Sequence, residues 1–562
     1  MLTFPHFEPH FPRSQWTLPT VLEYQAVNRA GLPCLSWEDG GEPLTFAQVN
    51  RVVNRVAHGL EDAGVVKGDY VGLLLPNCLE YVFTWFALTK LGAVEVAISD
   101  AYKGAFLAHP IRLSKARILV STFQLAERLV EIEGDIRTLE RIFLLGSSAE
   151  VSELASRFTR VRVEPYDVLY SDDESNPQTV VRPQDAAAVL MTSGTTGVSK
   201  GVVMPHSQFY FFAEEDVQLM RLRQQDVYMT GFPLFHGNAQ FLTVYPALIA
   251  GAHVVLYPRF SASDWAGRAR RSGATVTNLL GATMAFILSH PPTSDDRAHR
   301  VRTIYAAPLS PDLGSRFTER FGVTDFVDGF GQTEISNVFM TPPGAKRPAG
   351  ASGVLVDQFF EIRLADSETD EEVAAGEVGE LLVRHKEPGI ISKEYLGMPE
   401  KTVETWRNLW FHTGDAMRCD AEGWYFFVDR VKDALRRRGE NISSFEVESG
   451  LRTHPAVAEC AVIGVRADQD AGEDEVMACI VLKRGEAVTP EELIAWADAK
   501  LPSFMVPRYI EFLEQLPQTA TEKVKKKDLR ERGITPTTWD RIRAGCHLTG
   551  EQAGLKRRQK EM

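Results

Sequence analysis

The chain reads as a mixed α/β protein: a large N-terminal domain of two parallel-type αβ sheets, a small β-rich subdomain, and a small mobile α+β domain at the C-terminus. Three observations carry that expectation. Strand-like apolar runs alternate with helical ones from Tyr70 to about Val327, short strands with acidic turns take over after Gly353, and a second compositional boundary falls at Asp429-Arg430. With 562 residues, 44% of them hydrophobic, there is material for more than one core.

Thr45 stands as an N-cap before Phe46, Val49, Val52, Val53, Val56 and Leu60, whose spacing predicts a helix with one buried face. Tyr70 to Leu75 reads as a strand, Leu79 to Leu91 as a helix and Val94 to Ile98 as the next strand, a β-α-β unit. Leu107 to Ser114 and Ile118 to Val120 repeat the alternation, so parallel strands with helices on the sheet faces are expected. The longest apolar stretch, Phe241 to Tyr257, is interrupted by Pro246 and His253; it is read as a buried helix and strand, not a membrane span. Phe359 to Leu364 and Glu380 to Val383 are short strands around an acidic turn at Asp366 to Glu372. They define a β subdomain over about 350–428 inside a large domain spanning residues 1–429. Residues 430–562 form the small domain, with strands at Val457 to Val465 and Val476 to Leu482, a helix from Pro490 to Leu501, and a polar end from Arg541 that is expected to fray.

The net charge of -14 argues against a general nucleic-acid surface, so an anionic ligand must meet local positive charge. The six cysteines are scattered, without a Cys-x-x-Cys pair or clustered histidines, which favours a reducing, cytoplasmic setting over a zinc site or a disulfide framework. No secretory signal is visible at the N-terminus.

The densest chemical signal is Met191-Thr-Ser-Gly-Thr-Thr-Gly-Val-Ser-Lys-Gly201, with five hydroxyls, three glycines and a lysine behind an apolar run. Glycines let backbone N–H groups turn toward an anion, hydroxyls add donors, and Lys200 adds a compact positive charge, which suits a phosphate. The Walker pattern fails because Ser199 stands where its second glycine is required. The nearest Rossmann match, Gly329-Phe-Gly-Gln-Thr-Glu334, ends in glutamate instead of glycine. Strand-like residues on both sides place the loop between two strands. Taken alone, an ordinary flexible polar loop remains an equal reading.

Five further stretches, together with this loop, resemble the acyl-adenylate-forming superfamily of acyl- and aryl-CoA ligases, adenylation domains and beetle luciferases. The loop is similar to that family's Thr-Ser-Gly-Thr-Thr-Gly-x-Pro-Lys-Gly, with Ser199 for proline. The resemblance implies that Thr192, Ser193, Gly194, Thr195, Thr196, Gly197 and Lys200 hold the ATP phosphates, with Thr192 also near Mg²⁺. Phe232-Pro-Leu-Phe-His236 resembles the segment placed beside the carboxylate to be activated; without that context a histidine among apolar residues is more often a core group. Tyr305-Ala-Ala307-Pro-Leu puts Ala307 on the adenine side. Asp328-Gly329-Phe330-Gly-Gln-Thr333-Glu334 resembles Tyr-Gly-x-Thr-Glu. It implies an aromatic ring on adenine, a threonine donating to the α-phosphate and, in Glu334, a hard oxygen ligand for Mg²⁺.

Trp410-Phe-His-Thr-Gly-Asp415 resembles the ribose motif, and a carboxylate with two acceptors suits a cis-diol. From Gly423 to Glu448 the resemblance puts Arg430 on the nucleotide, a hinge at Lys432 and Gly439 where CoA arrives. Arg438-Gly-Glu-Asn-Ile-Ser443, followed by Ser444 where many relatives have proline, resembles the carnitine and crotonobetaine CoA-ligase branch. Leu516-Pro-Gln-Thr-Ala-Thr-Glu-Lys523 resembles Leu-Pro-x-Thr-x-x-Gly-Lys with Glu522 for glycine, making Lys523 the adenylation lysine; a solvated patch with Lys525, Lys526 and Lys527 is the competing reading.

The resemblance implies an ATP-dependent, AMP-forming acid–CoA ligase using ATP, Mg²⁺ and CoA on a small-molecule carboxylic acid, carnitine-like or a medium or long acyl acid. His236, Glu334 and Lys523 would carry the catalysis. Relatives are often dimers, so a homodimer is the assembly it implies. Two alternatives stand beside it: an adenylating enzyme serving a carrier protein, and a non-catalytic nucleotide-binding relative.

Overall fold

Parallel strands dominate the first half of the chain, as the β-α-β spacing requires. The computed structural model describes residues 1–38, 41–192, 199–307, 309, 311–367, 369–430, 435–437, 440–442, 444–466, 474–517, 524 and 526–548. An eight-stranded sheet runs in the order Glu394–Tyr395, Lys200–Pro205, Ala186–Thr192, Val94–Ala97, Tyr70–Leu74, Ile118–Thr122, Arg141–Leu145 and Arg162–Pro165. From Ala186–Thr192 onward its neighbours are parallel, with Gly72 opposite both Val96 and Leu119; the short edge strand pairs antiparallel through Tyr395 and Val202. The Thr192 to Lys200 interval therefore does join two strands. A seven-stranded sheet has the order Asp325–Val327, Thr303–Ala306, Val276–Leu279, Val227–Thr230, His253–Leu256, Pro33–Trp37 and Leu44–Thr45, parallel except for the last pair.

Local chemistry explains the helices that cover them. Phe46–Asp62 begins with a reciprocal cap between Thr45 and Gln48, and its apolar face of Phe46, Val49, Val53, Val56 and Leu60 is fully buried. His206–Met220 is buried on nearly every face although it carries three consecutive acids. Glu214 accepts hydrogen bonds from Tyr210 and Gln218 at 2.7 Å, and Glu215 accepts one from the Asn337 backbone N–H at 2.9 Å. Burial raises the Glu215 and Asp216 carboxyls well above the ordinary range, which favours the neutral acid in both. The apolar stretch after His236 becomes a π-helical turn Gln240–Val244, an α-helix Tyr245–Ala250 and the strand His253–Leu256.

The β-rich part begins earlier than the change of texture at Gly353. A seven-stranded antiparallel sheet already takes in Gly329–Gln332 and Ser336–Met340 and continues through Ala351–Leu355, Trp424–Arg430, Phe411–Cys419, Gly379–His385 and Phe360–Ala365. The chain forms two compact units. One comprises Met1–Asp100, Ala108–Met191 and Gly201–Asp429; the other comprises Ala101–Leu107, Thr192–Lys200 and Arg430–Met562. The second has its own core around a four-stranded sheet, Val457–Val465, Glu475–Leu482, Tyr509–Phe512 and Trp539–Asp540, packed by helices Ser444–Arg452 and Pro490–Lys500.

At the amino edge of the seven-stranded sheet, Asp226, Thr275 and Arg302 each immediately precede a strand and bond one another. Asp226 is 3% exposed and accepts from Arg302 and from Thr275 Oγ1, each at 2.7 Å. Burial alone would raise its carboxyl, but the Arg302 and Thr275 hydrogen bonds prevail and lower it. A lowered folded-state value contributes stability above the unfolded-state value of about 4 and loses it as pH falls through the folded one. Asp226→Asn should therefore lower stability at pH 7 by about 3 kcal/mol, with the deficit narrowing toward pH 3, as measured by urea unfolding at both pH values.

Candidate active site

Parallel strands all end on one edge, and loops from the carboxyl ends of neighbouring strands meet there. Four consecutive neighbours of the seven-stranded sheet deliver candidate residues in this way. Val227–Thr230 leads to His236, Val276–Leu279 to the Gly281–Ser289 helix, Thr303–Ala306 to Ala307, and Asp325–Val327 to Asp328 and the Gly329–Gln332 strand. Residues separated by about a hundred positions in sequence thus share one edge.

His236 is exposed and caps the turn Gly237–Ala239, its Nδ1 accepting from the Asn238 backbone N–H at 3.2 Å. That bond leaves Nε2 to carry the proton of the neutral ring, a donor suited to a carboxylate. Gly237 is required by close approach: a Cβ there would stand 2.0 Å from the Phe241 ring. In the next motif a Cβ on Gly331 would meet the Ser336 carbonyl oxygen at 2.0 Å, so only glycine permits the tight hairpin that carries Thr333 and Glu334.

The hairpin is tied on several sides. Gln332 donates to Asp415 at 2.6 Å and to the Thr413 carbonyl at 3.0 Å, joining the candidate ribose aspartate to the candidate phosphate and metal segment. Asp415 is 2% exposed. Glu334 is buried, and its Oε1 accepts from Tyr395 at 2.9 Å; among the described residues none donates a hydrogen bond to its other oxygen. The Thr333 carbonyl accepts from Gln208 at 2.8 Å. Phe330 is half-buried and lies near-parallel to Phe427, centroids 6.3 Å apart, while the Gly329 carbonyl accepts from Tyr305 at 3.4 Å. Asp328 pairs with Arg347 at 2.6 Å, and that arginine also donates to the Ala351 and Leu309 carbonyls. Ala307 is half-buried against the main core.

Of the candidate phosphate loop, Thr192 ends one strand and Lys200 begins the next, both half-buried. Ser193, Gly194, Thr195, Thr196, Gly197, Lys432, Gly439 and Lys523 lie outside the described residues, and Arg430 is described only as the last residue of its strand. The basic cluster after Lys523 is partly resolved by its pairing. Lys526 forms an ion pair with Glu448 at 2.6 Å and donates to Ser444 Oγ at 2.6 Å, so it has a structural partner of its own, and the serine that stands for proline supplies an acceptor.

Arg347, Tyr395 and the Gln332–Asp415 bond escaped the sequence reading. Gln332 lies inside a recognised motif, but nothing local marks the other two. Glu334 offers one buried carboxylate oxygen to which no described residue donates, a hard donor of the kind magnesium takes; among the described residues no group of three acidic, histidine or cysteine side chains could hold a metal unaided. No helix among the described residues is long and apolar enough to cross a membrane.

Two parallel αβ sheets, an antiparallel sheet carrying a Thr-Glu hairpin bonded to a Gly-Asp segment of another of its strands, and a small separate α+β unit define an adenylate-forming ligase. The chain belongs to the AMP-binding enzyme family, whose model matches residues 22–396, with the AMP-binding enzyme C-terminal domain matching residues 446–523, and it is an AMP-forming acid–thiol ligase. It is 34% identical over 494 residues to a crotonobetaine/carnitine–CoA ligase of Salmonella arizonae, covering 87% of this chain and 93% of the relative. The enzyme of the same name from Salmonella paratyphi A is 33% identical over 493 residues, with the same coverage. Among solved structures, the anthranilate CoA ligase AuaEII in complex with anthranoyl-AMP aligns with TM-score 0.67 and 28% identity, covering 93% of this chain and 98% of that one. The o-succinylbenzoate CoA synthetase MenE of Bacillus subtilis aligns with TM-score 0.76 and 25% identity, covering 92% and 99%.

Removing the partner of a buried charge is costly because the remaining ion loses both water and counter-charge. Arg347→Met should lower stability by about 3 kcal/mol, read from chemical denaturation, and Asp328→Asn in the same background should recover part of the loss.

Proposed function

We propose that the enzyme activates a small, polar, carnitine-like carboxylic acid with ATP and transfers its acyl group to CoA. A carboxylate is a poor acyl donor at neutral pH because oxide would have to leave. Attack of the carboxylate on the α-phosphorus of ATP breaks the bond to pyrophosphate and gives acyl-AMP. The thiol of CoA then attacks the acyl carbonyl, AMP leaves with the electron pair of the acyl–oxygen bond, and the thiol proton passes to solvent.

In this reading His236 donates from Nε2 to the substrate carboxylate, holding one oxygen while the other attacks. Thr192, Lys200 and the intervening Ser193, Gly194, Thr195, Thr196 and Gly197 hold the β- and γ-phosphates. Thr333 donates to the α-phosphate, Phe330 and Ala307 border adenine, and Asp415, oriented by Gln332, accepts from the ribose hydroxyls. Glu334, with Thr192, would hold the Mg²⁺ that neutralises phosphate charge when ATP is bound. Lys523 stabilises charge on the α-phosphate and departing pyrophosphate. Rotation about Lys432 would then exchange the Lys523 loop for the Gly439 region before CoA attacks, with Arg430 on the nucleotide.

The observation that carries the substrate class is the identity with crotonobetaine/carnitine–CoA ligases over most of both chains. Internal hydrogen bonds fix the segment that carries His236. Asn278, 2% exposed, donates to Asn238 and, at 2.7 Å, to Thr243 Oγ1, which in turn donates to the Asn238 carbonyl.

Acid-dependent ATP–pyrophosphate exchange and CoA-dependent AMP release, measured across carnitine, crotonobetaine and medium-chain acids, test the assignment. The betaine acids should give the highest kcat/KM, and silence with every acid would overturn ligase activity. Lys523→Ala should slow exchange by about a hundredfold while sparing thioester formation from supplied acyl-AMP, and an unchanged exchange rate would remove its role.

A further inference from the structure

The segment from Phe232 to Gln240 carries His236, and buried polar side chains fasten it from several directions. Asn77 donates to the Phe232 carbonyl at 2.8 Å and accepts from the Leu234 backbone N–H at 2.8 Å, while Asn278 holds the far side through Asn238. Gln240 closes the turn. It is fully buried at the start of the π-helical turn, and its Nε2 donates to the Leu234 carbonyl at 2.8 Å. The same Nε2 donates at 2.9 Å to Oε1 of Glu95, which also accepts from the Tyr81 hydroxyl at 2.7 Å.

Glu95 sits in Val94–Ala97, an interior strand of the eight-stranded sheet, with Val71 and Ala188 as its strand neighbours, and it is fully buried. Among the described residues no cation offsets it; the groups facing it are Tyr81 and Gln240. Burial pushes its carboxyl up to about 8, and hydrogen bonds from Tyr81 and Gln240 only partly oppose the shift, so it is neutral at pH 7. A strand buried on both faces ordinarily holds apolar residues; here Oε1 takes both of the acid's hydrogen bonds, while Oε2 is buried with no partner among the described residues. The partner that matters is Gln240, because it links one sheet to the segment delivered by the other. A broken π-helical turn is also where a side chain can alter the direction of a helix start.

We infer that Glu95 is a positioning residue for acid activation, acting through Gln240 to set the angle at which the Leu234–Gln240 turn presents His236. This rests on the proposed reading of His236 as the group that meets the substrate carboxylate. Glu95 itself touches neither substrate nor nucleotide. Its contribution is orientation, so the kinetic trace falls on the acid and not on ATP.

The test is acid-dependent ATP–pyrophosphate exchange with separate KM values for acid and ATP, on the full-length enzyme. Glu95→Leu should lower kcat/KM for the acid by about tenfold or more with the KM for ATP changed less than about twofold. Glu95→Gln, which keeps the acceptor, should rescue the acid kinetics to within about threefold of the parent. Gln240→Met should reproduce the Glu95→Leu loss, and the double variant should be no worse than either single one, because both break the same link. A folded Glu95→Leu enzyme with parental acid kinetics, an equal loss for ATP, or additive single losses would overturn the inference. If Glu95→Leu does not fold, Gln240→Met decides, and parental acid kinetics in that variant overturn it. His236→Ala, run in parallel, separates the two claims. Parental acid kinetics in His236→Ala sink the reading of the site itself, whereas an impaired His236→Ala beside an unimpaired Glu95→Leu sinks only the role of Glu95.

Discussion

Parallel strands of one sheet all end on the same edge, and that constraint brings together the candidate residues from His236 to Glu334. The loops carrying His236, Ala307 and the Asp328 hairpin are far apart in the chain yet leave strands of one sheet with only Val276–Leu279 interposed. The two edges have opposite tasks. At the amino edge Asp226, Thr275 and Arg302 satisfy one another and hold the strand starts in register. At the carboxyl edge the polar groups belong to loops, where a ligand can meet them.

Orientation at that edge depends on buried polar chemistry. A loop has few internal hydrogen bonds, so its geometry must come from groups around it. Asn77, Gln240 and Asn278 supply this for the His236 segment, and Gln332, Tyr395 and Arg347 supply it for the residues between Asp328 and Asp415. Three consecutive acids on His206–Met220 extend the same principle, since Glu215 fastens the helix to a strand of the antiparallel sheet. Such groups lose hydration on burial and gain only modest net energy from their bonds. What they contribute is a unique arrangement, which chemistry at a carboxylate and a phosphate requires.

Much of this was legible residue by residue. The capped helix after Thr45, the β-α-β alternation, the strands on either side of the phosphate loop and the helix and strand after Phe241 follow from periodicity, because side-chain spacing reports burial directly. The start of the antiparallel sheet at Gly329, well before Gly353, did not show. Gly329–Gln332 is half-buried throughout and Ser336–Met340 is wholly buried, so neither has the alternation that marks a strand with one wet face.

By itself, then, the amino-acid order determined the class of the periodic elements, the motifs and the residue types available for adenylate chemistry, since these depend on neighbours within a few positions. Only the tertiary structure decided which of them meet. Gln332 finds Asp415 83 positions away, Glu334 finds Tyr395 61 away, and Glu95 finds Gln240 145 away. A hydrogen bond is set by distance and angle in space, and the chain fixes those only when its sheets are formed.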